Sequence, residues 1–463
     1  MNNAALIKTR LPHSTEDTRK REVARTSSLW LLRLLVILLF CQVWWEVGGF
    51  TIRLEDVLIL LLLVGWLLPS ILRLRLSYYR SSLNVPVLLW SSVLLLGVFI
   101  SLLQPFEAEV KKDALVNGIR LLLASSLFSI VYNYPATSRK KARIVLGVVI
   151  SFSFLTTIVA LLQIAYWDGW LPISFPAVLT EFKEGANTQK GREIFALFIG
   201  DTGTHGWSGM LAMQSLTVFY WAQRIRHPLK RAMWYSYFGL LTLILVRTSV
   251  RNSILGLCVA LVSTELLGSQ KSRYQFNRLF KPVLMSTLAL LLLGGLFYLA
   301  PDSYFIERVR QVIPQLRDGQ IMISRASNVY GRVRYAGIAW KLFLRRPLVG
   351  NGFWSYETLS NLHAPEPIVH AHNSYFQTLA ELGAVGAIAL VWLIWRLLRY
   401  SRFIWRKRFD DSYLRVIQKL WIGGLVFIGF TALFSNPFWA PREVGFRMFL
   451  LGVLTTWSRE AAR

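Results

Sequence analysis

Twelve apolar runs constrain this chain more than any other feature of its sequence. A helix needs about 20 apolar residues to cross the hydrocarbon core of a bilayer. The runs reach or approach that length at residues 29–46, 54–72, 85–103, 114–132, 144–166, 207–222, 232–247, 252–267, 283–299, 384–399, 417–434 and 444–457. With 54% hydrophobic and 17% charged residues, the chain is also too apolar for a soluble protein of 463 residues. We therefore predict an all-α integral membrane protein with about 12 transmembrane helices.

The positive charge of the chain predicts its orientation. Lys and Arg number 52 and Asp and Glu 25, a formal net charge of +27 that in a soluble protein would suggest nucleic-acid binding. In the twelve-span topology, the short loops on one side carry 23 basic residues and those on the other side carry 6. Short basic loops stay in the cytoplasm. We therefore predict that both termini are cytoplasmic, and no nucleic-acid partner is needed to explain the charge.

Two long loops lie on the outer side of this predicted topology. The predicted organisation is a basic tail at 1–28, transmembrane helices at 29–166, a first outer loop at 167–206, central helices at 207–299, a second outer loop at 300–383, and C-terminal helices with a tail at 384–463. No cleavable secretory signal is expected, because the basic tail precedes a full apolar span. Apolar residues from Ile306 to Leu316 repeat at helical spacing, so short helices are expected in the second loop.

Several motifs of well-known chemistries are absent from the sequence. It contains no GxxxxGK[ST], HExxH, CxxC or GxSxG pattern. ATP-driven transport and thiolate or HExxH zinc chemistry therefore lose support. The two cysteines, Cys41 and Cys258, lie inside apolar runs, where we expect them to act as small hydrophobic residues and not as a disulfide.

Histidines concentrate in the two long outer loops, which hold His205, His363, His370 and His372. His370 and His372 stand just before the tenth predicted span. An imidazole has an ordinary pKa of about 6.5, so it can take or give a proton near neutral pH. The alternative interpretations are an interfacial histidine bonded to backbone and a metal ligand, and the HxH pattern alone does not separate them.

Arginines form a second group of candidate site residues. Arg251 lies in a turn between the seventh and eighth spans that barely leaves the membrane, where a cation costs about 2.5–3.5 kcal/mol unless it is partnered or hydrated. Arg192 and Arg332 lie in the long loops. The planar guanidinium suits a pyrophosphate, so anion binding is one hypothesis, and snorkelling to the interface is the other. Salt bridges inside the bundle, with Glu46 and Glu55 as candidate partners, are expected for the arginines within spans, Arg33, Arg120 and Arg447.

Five short stretches carry a resemblance to a known family. His372-Asn373 is followed after nine residues by Gly383-Ala384-Val385-Gly386, at the start of a span. Upstream lie a PxxGxG turn, Pro347 to Gly352, and the dipeptide Gly331-Arg332. The fourth stretch runs from Thr248 to Arg251, and Val250 occupies the position at which the similar family motif has a serine. The fifth is the segment from Arg192 to His205.

These stretches resemble those of the O-antigen ligase and polymerase membrane proteins of bacterial envelopes. The resemblance implies a GT-C-like ligase bundle in the inner membrane, with a long periplasmic loop between late spans. It implies glycan transfer from undecaprenyl pyrophosphate to a hydroxyl of a glycolipid or saccharide acceptor, with inversion and with no nucleotide, metal or other cofactor. The implied catalytic base is His372. The implied pyrophosphate ligands are Arg192, Arg251 and Arg332, and the implied supporting residues are Asn373, His370, Gly383, Gly386 and His205.

Other functions remain open at this point. Polymerisation of repeat units and attachment of glycan to protein would use the same motifs, because acceptor choice depends on pocket shape. A transporter is a different class, since some relatives of the family are labelled bicarbonate carriers, but it would favour discontinuous spans and an internal repeat, and the sequence has no detectable repeat. A noncatalytic structural subunit would not need the histidine, glycine and arginine pattern.

Overall fold

The computed structural model describes residues 30–39, 44–47, 50–72, 81–134, 136–167, 203–247, 251–268, 315–317, 320–322, 328–363, 370–407 and 409–461. Its helices are α1 Trp30–Leu39, α2 Leu54–Leu72, α3 Asn84–Leu103, α4 Ala108–Asn133, α5 Ser138–Trp167, α6 Gly203–Arg224, α7 Pro228–Arg247, α8 Arg251–Gly268, α9 Asn328–Arg345, α10 Tyr356–Asn361, α11 Ser374–Arg406, α12 Ser412–Thr431 and α13 Pro441–Glu460. A 3-10 turn covers Pro437–Trp439. The strands form two antiparallel hairpins, β1 Trp44–Val47 with β2 Phe50–Arg53, and β3 Gln315–Arg317 with β4 Gln320–Met322.

The chain is a predominantly α-helical membrane protein. Within the described residues, five helices are long and apolar enough to cross a membrane, namely α3, α4, the 138–162 part of α5, α11 and α12. The helices α1 and α8 contain shorter apolar stretches, Trp30–Leu39 and Asn252–Leu266. The total of twelve spans stays a prediction, and the predicted span 283–299 lies outside the described residues.

Three predicted boundaries differ from the structure. The run 29–46 is not one helix, because α1 covers Trp30–Leu39 and the aromatic Trp44 begins strand β1, which pairs with β2. The tenth span was predicted at 384–399, but α11 begins ten residues earlier, at Ser374, and is interrupted at Gly383. Leu316, predicted at a helical position, lies in strand β3. The range predicted as the second loop contains α9, of 18 residues, and the short helix α10, of six residues, and the loop itself stays a prediction.

Small residues let the central helices approach closely. Gly445 and Gly452 of α13 lie against Leu127 and Val131 of α4. Gly256 of α8 lies against Phe427 and Thr431 near the end of α12. Glycine at such contacts brings helix backbones together, and this close packing drives helix association in a membrane.

Two arginines within spans form buried ion pairs, as predicted, and the carboxylates paired with them are those of Asp56 and Glu443. Arg120 Nε lies 3.1 Å from Asp56 Oδ2, and the Arg120 side chain is 8% exposed. Arg447 Nη2 lies 3.0 Å from Glu443 Oε2, one turn earlier in α13. Arg33 is exposed, and its guanidinium lies 5.0 Å from the centre of the Trp30 ring. Pairing offsets part of the cost of burying each charge, and removal of one partner leaves the other charge buried and uncompensated.

The Asp56–Arg120 pair is expected to behave as a buried pair. Asp56→Leu leaves the Arg120 charge without its carboxylate, so we expect the free energy of unfolding in detergent to fall by about 3–5 kcal/mol. The double variant Asp56→Leu/Arg120→Met should recover most of that loss, because both charges of this pair are removed together. Arg139→Met is the control, since Arg139 pairs with Asp411 while 59% exposed, and it should cost less than about 1 kcal/mol. Equal losses for Asp56→Leu and Arg139→Met would contradict this prediction.

Candidate active site

The turn that contains His372 leads directly into α11. His372 has φ of 50°, in the left-handed region, where histidine occurs more often than most non-glycine residues. This conformation redirects the chain so that Asn373 caps the helix: its Oδ1 accepts from the Tyr375 and Phe376 amides at 3.0 and 3.1 Å. The small polar residue after the histidine is therefore a helix cap.

The same cap joins the His372 turn to the turn after α12, residues 432–436. Asn373 Nδ2 donates to the Leu433 carbonyl at 3.1 Å. The Ser374 amide donates to the Ala432 carbonyl at 2.9 Å, and the Ser374 hydroxyl donates to the Ser435 carbonyl at 3.2 Å. These three bonds fix the beginning of α11 against the end of α12.

Helix α9 covers this region with a cation and an aromatic ring. Arg332 and Tyr335 are three residues apart, so they lie on one face of α9. The Tyr335 ring centre is 5.6 Å from that of His372, and the Arg332 guanidinium is 5.6 Å from the centre of the Phe434 ring, in the 432–436 turn. The structure therefore brings Arg332 and His372, which are far apart in sequence, to the same pair of turns, where both are half-buried.

A small apolar cluster supports α9 beneath the site. It contains Ile338, Ala339, Leu342, Tyr356, Ala371 and Ala380. The Tyr356 hydroxyl donates to the Tyr335 carbonyl at 2.9 Å. Burial raises the pKa of Tyr356, as do the neighbouring Tyr335 and Glu381, so this donor keeps its proton at neutral pH.

The two glycine motifs found separately in the sequence meet in the structure. Helix α11 breaks at Gly383, which has φ of 64° and ψ of −161°. The PxxGxG turn lies against this break, with Gly350 at φ of 74°. Four backbone bonds join them: Ala384 N to Pro347 O at 2.8 Å, Val385 N to Leu348 O at 3.1 Å, Gly352 N to Glu381 O at 2.9 Å and Asn351 N to Ala380 O at 3.1 Å. Glycine is required because a Cβ at Gly350 would overlap the Glu381 carbonyl, and one at Gly383 would lie 2.5 Å from the Gly350 nitrogen.

A buried carboxylate that the sequence reasoning missed lies beside this junction. Glu381 is 1% exposed. Its Oε2 accepts from the Trp354 amide and the Trp439 indole, both at 3.0 Å. Its Oε1 accepts from the Tyr356 amide at 3.3 Å and from Gln377 Nε2 at 3.0 Å. The available signal was a lone acidic residue in a largely apolar segment, which calls for a functional explanation.

The other predicted site residues are placed less completely. Arg251 is the first residue of α8 and His205 the third of α6, and only their backbones are described. The starts of α6 and α8 are joined by a 2.8 Å bond between the Ser208 and Ser253 hydroxyls. Because Gly256 packs on Thr431, the start of α8 lies at the end of the bundle where the 432–436 turn begins. Arg192 lies outside the described residues.

Two further predicted residues lie before and within α11. The His370 ring lies edge-on to Trp354, with centres 5.7 Å apart. Gly386 is one turn into the second part of α11, where a Cβ would overlap the Leu382 side chain. A proton acceptor, an arginine and a rigid backbone junction thus share one end of the bundle. Such an arrangement can deprotonate a hydroxyl and hold an anion.

Part of the chain is similar to a known protein family. Residues 236–391 match a family model described as O-Antigen ligase. The matched segment includes α8, α9, α10 and the part of α11 with both glycines of the GxxG motif, and therefore Arg251, Arg332 and His372. No curated protein matches the chain.

Gly383→Ala should weaken the junction between the two glycine motifs. The left-handed backbone and the close approach of Gly350 both oppose a Cβ, so we expect the free energy of unfolding to fall by at least about 2 kcal/mol. Gly147→Ala is the matched control, because nothing lies within 4 Å of a Cβ there and the helix should gain up to about 1 kcal/mol. The measurement is unfolding in detergent followed by tryptophan fluorescence. Equal stability of the two variants would contradict the steric account.

Proposed function

We propose that this membrane protein, which is similar to O-antigen ligases over residues 236–391, transfers a glycan from undecaprenyl pyrophosphate to an acceptor hydroxyl on the periplasmic side of the inner membrane. The observation that carries the proposal is the convergence of Arg332 and His372 on the turns at 370–373 and 432–436. Both residues lie inside the matched family segment.

In the proposed reaction, His372 is the general base. Its imidazole takes the proton of the acceptor hydroxyl while the hydroxyl oxygen forms a bond to the anomeric carbon. The bond from that carbon to the carrier oxygen breaks, and the pyrophosphate leaves with the electron pair. Attack on the face opposite the leaving group inverts the anomeric configuration. The carrier itself supplies the leaving group, so the proposal involves no nucleotide, metal or other cofactor.

Arginines stabilise the leaving pyrophosphate in this proposal. Negative charge grows on its oxygens as the bond breaks, and fixed cations lower the energy of that state. Arg332 is supported by its position on α9 above Phe434. Arg251 is supported by the position of its helix, whose start lies at the same end of the bundle as the 432–436 turn. Arg192 rests on the sequence resemblance alone.

The base is tested with His372→Ala in purified protein supplied with undecaprenyl-pyrophosphate glycan and candidate acceptors. Loss of a general base should lower kcat by about 10²–10⁴-fold, with little change in carrier binding. Because only the neutral imidazole can accept a proton, the activity of the unaltered protein should fall as pH is lowered through the pKa of this group. His363→Ala is the control, since His363 is exposed just after α10. Full transfer by His372→Ala would remove its role as base.

The anion site is tested by the affinity of the protein for the pyrophosphate carrier. Arg332→Ala should weaken binding by about 10- to 100-fold, the range expected for a hydrogen bond to a charged group. Arg332→Lys should bind with intermediate affinity, because it keeps the charge and loses the planar fork. The control is Arg334→Ala, two residues further along α9 and therefore on another face. Unchanged affinity in Arg332→Ala would leave Arg332 with a structural role.

A polymerase of the same family is the second candidate, because the matched family and the proposed site residues serve both reactions. The acceptor separates them: a ligase uses a capped glycolipid as acceptor, and a polymerase extends a growing saccharide. Mass analysis of the products in a deletion strain complemented with this gene distinguishes the two. Complete loss of a capped glycolipid in the deletion strain would indicate a ligase, and loss of polymer length alone would indicate a polymerase.

A further inference from the structure

A side-chain relay connects the buried Glu381 to the residue before His372. Gln377 lies one helical turn before Glu381 in α11, and it is 1% exposed. Its Nε2 donates to Glu381 Oε1 at 3.0 Å. Its Oε1 accepts from Asn436 Nδ2 at 2.6 Å and from the Ala371 amide at 3.4 Å. One glutamine therefore contacts the carboxylate, the 432–436 turn and the backbone that leads into His372.

Glu381 is held in one orientation by its donors. An ionised carboxylate only accepts hydrogen bonds and has about four lone-pair sites. Four donors occupy them, two on each oxygen: the amides of Trp354 and Tyr356, the Trp439 indole and the Gln377 side chain. These donors come from three separate segments of the chain, so the carboxylate fixes the turn after Gly352 and the 3-10 turn against α11.

The fixed carboxylate sets the direction of the Gln377 amide. Because Glu381 only accepts, the NH2 group of Gln377 must face it, and the carbonyl oxygen must face the other way. That oxygen then meets two donors, the Ala371 amide and Asn436 Nδ2. The reversed amide would put an NH2 group against both donors and a carbonyl against the carboxylate. The Gln377 amide therefore has one stable orientation, with its NH2 group towards Glu381 and its oxygen towards Asn436 and the Ala371 amide.

His372 needs such support. Its left-handed backbone is unfavourable for a residue with a Cβ, and such conformations persist only where the surroundings hold them. On one side of His372, the Gln377 side-chain oxygen holds Ala371 by accepting a hydrogen bond from its amide. On the other side, Asn373 is held by its hydrogen bond to the first turn of α11. Through Asn436, the relay also holds the turn that carries Phe434, over which Arg332 lies.

We propose that Glu381 and Gln377 are positioning residues: the carboxylate orients the glutamine amide, and the amide holds the His372 turn and the turn beneath Arg332 in the geometry required for transfer. The proposal rests on the proposed role of His372 as base. Neither residue needs to touch the substrate. Small displacements of a reacting group lower rates steeply, about 10²-fold for 1 Å.

The test compares two identical substitutions at buried glutamines. Gln377→Leu removes the relay. Gln214→Leu in α6 is the matched control, because Gln214 is 2% exposed and accepts a hydrogen bond from Thr156 at 3.0 Å. Gln377→Leu should lose more stability in detergent than Gln214→Leu, because Gln377 makes three side-chain hydrogen bonds and Gln214 accepts one from Thr156, so both are assayed under conditions in which they are folded. Only Gln377→Leu should lower kcat/KM for transfer, by about 10- to 100-fold, and the larger part of the loss should be in kcat because the released turn carries the proposed base.

A second measurement does not depend on glycan transfer. Diethyl pyrocarbonate acylates the His372 imidazole, and mass spectrometry of the modified peptide gives the rate. Gln377→Leu should raise this rate severalfold, because a released turn samples more open conformations, and Gln214→Leu should not change it. If no transfer is detected even for the unaltered protein, the proposed function fails, whereas a raised acylation rate would still support the positioning of His372.

The proposal is wrong if Gln377→Leu behaves as Gln214→Leu does, with unchanged kcat and an unchanged acylation rate at His372. If Gln377→Leu does not fold, Glu381→Gln provides the same test, since it keeps the side-chain shape. It replaces one oxygen with an NH2 group that faces donors, so kcat should again fall and acylation should rise. Unaltered values of both in folded Glu381→Gln protein would also overturn the proposal.

Discussion

The rest of the site depends on one constraint: helix α11 is interrupted at Gly383, and another turn must form hydrogen bonds with the backbone groups that the interruption exposes. A helix that breaks near a membrane exposes backbone amides and carbonyls, and each one left unpaired costs several kcal/mol. The PxxGxG turn meets this cost through four backbone bonds across the break. Because α9 and α10 lie on either side of that turn in the chain, these backbone bonds also anchor α9, whose Tyr335 lies against His372.

The buried polar groups around His372 follow the same physical rule. Several take a partner from a distant segment: the Asn373 amide from Leu433, the Ser374 backbone from Ala432, and the Glu381 carboxylate from Trp439. A network of this kind is rigid only when its members are satisfied. Rigidity is useful here, since a general base and an anion site must keep a fixed separation for a transfer reaction.

Much of the site could be predicted from local patterns. The His372-Asn373 dipeptide, the two glycine motifs and Arg332 were recognised from short spacings, and the structure gathers all of them at one end of the bundle. The assignment of His372 as base and of the arginines as pyrophosphate ligands stays a prediction. Glu381 was missed because its importance lies in its partners. Three of its four donors, Trp354, Tyr356 and Trp439, lie between 25 and 58 residues away in the chain.

The sequence by itself determined the membrane class, the predicted sidedness and the motifs, because hydropathy, charge asymmetry and short spacings are local properties of the chain. Only the tertiary structure decided which groups meet. Arg120 forms its ion pair with Asp56, the residue after the candidate Glu55, and the run ending at residue 46 leaves its helix to form a hairpin. The physical reason is that a buried charge or amide selects whichever partner the packing of distant segments brings within hydrogen-bond distance, and no local pattern contains that information.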